Sequence, residues 1–110
     1  MSTAIHCDEA IFKMKEAAEM KITDLDAFYD SAKVEDRMNL YFELEASFLR
    51  YLADGYCDLA AHVAYLAAYY IEKKLHAVSG KEMASYYLNR AIQLCPANEY
   101  LQLLAEIKDV

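Results

Sequence analysis

A chain of 110 residues has room for one hydrophobic core, and 57% hydrophobic residues with only two Gly and one Pro leave little material for turns, which points to an all-α domain. No uninterrupted apolar run reaches the ~18 residues of a membrane span, and MSTAIHCDEAIFKMK lacks the basic-then-apolar order of a secretory signal, so the expected location is cytoplasmic with no membrane partner. The net charge of -7 lies mostly in residues 1–54, with 12 acids and 6 bases against 6 and 5 in the rest, which argues against nucleic acid and makes a basic partner the better match.

In chain order, residues 4–21 read as a first helix whose apolar stripe is Ile5, Ile11, Met14 and Ala18. Thr23 or Asp24 is placed to cap a short second helix, DLDAFYDSAK, with Leu25, Phe28 and Tyr29 on its apolar side. Val34 to Ala53 forms a clearer helix, with Met38, Tyr41, Phe42, Glu45, Phe48, Leu49 and Leu52 at helical spacing and Gly55 suited to a left-handed stop. From Tyr56 to Val78 no breaker occurs, so one long helix is expected. Its Ala content and its apolar positions Leu59, Val63, Leu66, Ile71, Leu75 and Val78 make it central to the core.

A break at Ser79-Gly80 turns the chain back, and Ser79 with Glu82 three residues later has the pattern of a capping box at the start of the next helix, residues 80–95. Pro96 ends that helix, and a last one follows over about 98–108 with Leu101, Leu104 and Ile107 on one face. The two helices from Tyr65 to Asn98 make a hairpin of 34 residues. Its second helix reads Ala84-x3-Leu88-x2-Ala91-Ile92-x-Leu94-x-Pro96. This order of small, large, small and closing proline resembles the tetratricopeptide repeat, as does the period. The first helix departs from the pattern, with Ala68 in place of the usual Trp and Glu72 where Gly or Ala is normal. Stepping back one period puts Arg50, Asp54, Cys57 and His62 at consensus positions, so no second repeat is legible. The expected architecture is therefore a single all-α domain of antiparallel helical hairpins, either similar to the repeat or a compact bundle of five to six helices, with the last helix as a cap.

No enzyme pattern is present: two glycines cannot build a phosphate loop, and neither HExxH nor GxSxG occurs. Cys7, Cys57 and Cys95 have no metal-ligand spacing and read as reduced, packed thiols. His62 and His76 are too far apart along one helix to share an ion, and the local run His6, Cys7 and Asp8 is a poor chelate. No cofactor or metal is implied. What stands out is a face of the long helix bearing His62, Tyr65 or Leu66, Tyr69, Lys73 and His76. The resemblance implies that Leu66, Tyr69, Lys73 and His76 line a groove that receives a partner peptide. The expected function is a non-enzymatic interaction module of adaptor or chaperone type, and the alternative is a homodimeric bundle with a structural or regulatory role. Tyr69-Tyr70 and Tyr86-Tyr87 are expected to meet across the hairpin.

Overall fold

The computed structural model describes residues 12–108, which form six α-helices in sequence: α1 (Met14–Glu19), α2 (Ile22–Ser31), α3 (Val34–Ala53), α4 (Cys57–Tyr69), α5 (Gly80–Leu94) and α6 (Asn98–Lys108). No strand occurs among these residues, and the fold is all-α. The Cα radius of gyration is 12.8 Å, near the ~13 Å of a compact chain of this size. No helix among the described residues is long and apolar enough to cross a membrane. Helix α4 lies at the centre, packed against α3 and α5 and touched by α1 and α2. It can do so because Ala60, Ala61, Ala64, Ala67 and Ala68 are all fully buried, and small side chains let neighbouring backbones approach.

Several boundaries follow from identifiable local chemistry. Helix α3 has the expected span and ends in a left-handed cap: Gly55 has φ +83°, the Gly55 N–H donates to Leu52 O at 3.2 Å, and the Tyr56 N–H donates to Tyr51 O at 2.9 Å. Helix α5 stops at Leu94 because Cys95, just before Pro96, is forced into extended backbone at φ -159° and ψ 90°. Gly80 opens α5 hard against the preceding chain, where a Cβ would lie 3.0 Å from Glu72 Oε2 and 3.4 Å from Ile71 O.

Other expectations require correction. The first helix is only Met14–Glu19 among the described residues, and the expected residues 4–11, with Ile5 and Ile11, lie outside them. Met14 and Ala18 are exposed, whereas Phe12, Ala17 and Met20 are buried. The helix breaks at Met20, whose carbonyl is taken by His62 Nε2 at 2.7 Å. Asp24 then reaches back to accept the Lys21 N–H at 2.9 Å, so α2 begins at Ile22 and Asp24 sits in its first turn rather than before it. At α5 the Ser79 side chain makes no capping hydrogen bond. On α6 the buried positions are Tyr100, Leu103 and Ile107, with Leu101 half exposed.

The long helix is not uniform. After Tyr69 it continues as a π-helical turn (Tyr70–Leu75) and ends at His76, a left-handed residue at φ 51°, so Val78 belongs to the exposed connection. The His76 N–H points to Ile71 O, the wide closure of an i to i+5 pattern, and the Ala77 N–H reaches the same carbonyl from one residue further on at 3.4 Å. Between elements, the ring contacts and hydrogen bonds of the tyrosine pairs are to α2 and α3 rather than across the hairpin. Tyr87 hydrogen-bonds Tyr41 of α3 at 3.0 Å and packs edge-on against Phe48. Tyr70 packs against Tyr29 of α2 and donates to Arg37 O at 2.7 Å.

Candidate functional site

Helices α2, α4 and α6 alternate along the chain with α3 and α5, and the three together border one cleft. Its lining is Ile22 from α2, Tyr65 and Tyr69 from α4, and Glu99, Gln102, Leu103 and Glu106 from α6, around 220 Å³. Tyr65 and Tyr69 share a face of α4 because they are four residues apart. Tyr65 is fixed from the α6 side by ring contact with Tyr100, 5.2 Å between centroids. Tyr69 is fixed from the α2 side, its hydroxyl donating to Asp26 Oδ1 at 2.7 Å. The floor is aromatic and apolar, and the α6 edge is acidic.

The electrostatics follow this layout. Burial raises the Tyr65 hydroxyl above the ordinary tyrosine value, and the negative charges of Glu99 and Glu106 raise it further. Tyr69 is pushed up to about 12, first by burial, then by its hydrogen bond to Asp26 and by that residue's charge. Asp26 also pairs with Lys74 at 3.4 Å, and the Lys74 ammonium lies 5.2 Å from the Tyr29 ring centre, with the Arg37 guanidinium 4.1 Å from the same ring. Two cations of the chain thus already rest on an aromatic and acidic patch beside the cleft.

The four residues expected to line a groove have different fates. Tyr69 is a wall of the cleft. Lys73 reaches its rim, where its Nζ stands 3.9 Å from Glu106 Oε2. Leu66 does not belong there. It is fully buried in the core, because at roughly 100° per residue it lies about 60° round α4 from Tyr69. His76 does not belong there either: the π turn carries it past the cleft, and it lines a separate shallow depression with Glu72, Ala77, Val78, Lys81 and Glu82. His62 acts as a strut to Met20 beneath α1.

Tyr65 takes the place given to Leu66, and Ile22, Glu99, Gln102 and Glu106 join it from α2 and α6. A signal for the α6 contribution exists in the sequence: Glu99, Gln102 and Glu106 recur at steps of three and four and form one polar edge. Nothing local to α4 announces which neighbours will face it. The run His6, Cys7 and Asp8 lies outside the described residues. Among the described residues, Cys57 and Cys95 are free thiols, and no three His, Cys, Asp or Glu side chains converge at metal-holding distance. In comparison with known proteins, no family model, no curated protein and no solved structure matches this chain.

Proposed function

We propose that the protein is a non-enzymatic interaction module, similar in build to tetratricopeptide domains and adaptor or chaperone-like in role, that holds a partner peptide or helix across the cleft between α2, α4 and α6. The observation that carries this reading is the cleft's construction. Three helices that are not neighbours in sequence present inward faces to one concavity, while α3 and α5 stand between them in the chain. In the repeat family that the 65–98 hairpin resembles, alternate helices border the binding groove in the same way. Of the residues that carry the resemblance, Ala84, Leu88 and Ala91 are fully buried and Ile92 and Leu94 are partly buried against the core. Tyrosines suit such a task because each offers rigid contact area with a hydrogen-bonding tip.

The test is site-specific photo-crosslinking in cell extract, with the photoreactive residue at Gln102 on the cleft edge or at Asn89 on the exposed side of α5. The reading expects a discrete protein adduct from position 102 that is absent from position 89. Adducts of equal pattern from both positions would sink it.

A second reading has its own observation. Val34, Met38, Phe42 and Leu49 recur along α3 and remain 72, 43, 57 and 54% exposed, an apolar stripe that a second copy would cover in a homodimer. Sedimentation velocity of the wild type and Phe42→Glu separates the two. A dimer dissolved by Phe42→Glu favours self-association, and a wild-type monomer removes that alternative.

A further inference from the structure

Two features of the cleft independently favour positive charge. The rings of Tyr65 and Tyr69 line it, and aromatic rings attract a cation through their quadrupole. From the opposite side, α6 presents Glu99 and Glu106. Glu99 makes no ion pair among the described residues, and Glu106 is only loosely engaged by Lys73 at 3.9 Å, with both of those side chains about half exposed. The volume of 220 Å³ lies below the ~300–1,000 Å³ of sites that enclose a small molecule, so it suits one side chain of a longer partner. Beside it, Arg37 and Lys74 on the Tyr29 ring show that this surface accommodates cations over tyrosine.

We propose that the cleft receives a single lysine or arginine side chain of a basic peptide segment, with Glu99 and Glu106 as its charge partners and Tyr65 and Tyr69 as its aromatic walls. This rests on the interaction-module reading and names the chemistry of its partner. The aliphatic stem of the incoming side chain packs against Ile22 and Leu103 while its head remains at the acidic rim. Lys73 then acts as an internal competitor, since its ammonium occupies the carboxylate that the partner needs. The sign of its effect is diagnostic: removing Lys73 strengthens binding of a cation and weakens binding of a carboxylate.

The experiment is an NMR titration of the full chain, followed at the ring resonances of Tyr65 and Tyr69, with synthetic Lys-Ser, Gln-Ser and Glu-Ser repeat peptides of equal length. The Lys-Ser peptide is expected to shift both rings and the other two to leave them in place. Glu99→Gln with Glu106→Gln should weaken that binding about tenfold, as loss of a close charge pair does. Lys73→Gln should strengthen it about two- to threefold, in keeping with a weak exposed pair. Glu35→Gln with Glu82→Gln removes the same charge from exposed positions outside the cleft and should change little. Circular dichroism checks that every variant keeps its helices.

Equal weakening by the two double variants would mean attraction to overall negative charge and would overturn the proposal. So would ring shifts caused as strongly by Gln-Ser or Glu-Ser peptide, which would leave the interaction-module reading standing. If Lys-Ser peptide moves neither ring, the proposal falls, and the photo-adduct at Gln102 decides the broader reading by itself.

Discussion

Ser47 lies fully buried on α3, and its Oγ accepts the Phe12 N–H at 3.1 Å, while the Tyr51 hydroxyl donates to Phe12 O. Two side chains one turn apart thus satisfy both backbone groups of a residue that has no helix to do so. The pair explains how a buried Phe12 is held before α1 begins. Replacing Ser47 with Ala deletes one acceptor and leaves a buried N–H without a partner, which costs about 1–3 kcal/mol. Urea unfolding of Ser47→Ala against wild type measures it. A midpoint within error of the wild type would mean that water reaches the Phe12 amide and that Ser47 does not anchor the segment. Ser47 itself carries no sequence signal for this role. A serine in the middle of α3 reads as a neutral helix position, because the group it serves is 35 residues away in the chain.

At the scale of the element, the π turn and its left-handed terminus decide which residues reach the cleft. His76 adopts φ 51°, a region where a Cβ is strained and glycine is not. His76→Gly should therefore stabilise the protein by up to about 1 kcal/mol, read as a rise in thermal midpoint. It should also leave partner capture unchanged, because the imidazole stands outside the cleft. A drop in midpoint would show that the imidazole contributes more than its backbone costs. This element also marks the limit of what periodicity reveals. Gly55 and Pro96 are strong punctuators, and the ends of α3 and α5 were legible from them. The stop at His76 has no such residue, and a uniform helical wheel drawn from Tyr56 to Val78 carries His76 onto the face of Tyr69, which the π turn takes it away from. The same limit applies to the short helices. Over six residues in α1, or eleven in α6, an error of one position in phase is enough to exchange a buried side chain for an exposed one, as with Leu101 and Tyr100. The cleft was half legible. Tyr69 and Lys73 lie on one helix and can be found by spacing, whereas Glu99, Gln102, Glu106 and Ile22 arrive only through tertiary packing.

Across the whole molecule, tyrosine hydroxyls and rings join the helices pair by pair. Tyr41 meets Tyr87 between α3 and α5, Tyr69 meets Asp26 between α4 and α2, Tyr65 meets Tyr100 between α4 and α6, and Tyr51 holds Phe12 to α3. Burial raises all of these tyrosines above their ordinary value. Neighbouring carboxylates add to the effect at Tyr65, Tyr69 and Tyr100, and the hydrogen bond to Tyr41 adds to it at Tyr87. Tyr69 and Tyr100 both reach about 12. The sign follows from proton linkage: between the unfolded value near 10 and the folded value near 12, the native state holds protons that the unfolded state has released, so stability falls as pH rises. Below pH ~10 both states keep these protons and the contribution is constant. The protein should thus lose its helices in one cooperative step on the alkaline side, with tyrosinate absorbance and helical circular dichroism changing together. Tyr69→Phe should move that step upward in pH, because phenylalanine keeps the ring and removes one ionisation. Loss of the Asp26 hydrogen bond in this variant lowers stability at neutral pH, so the two effects have opposite signs and are read in one pH series. Tyrosinate absorbance that rises well before the helices melt, with the structure intact, would show that the buried hydroxyls are more accessible than their packing implies and that they do not hold the helices together.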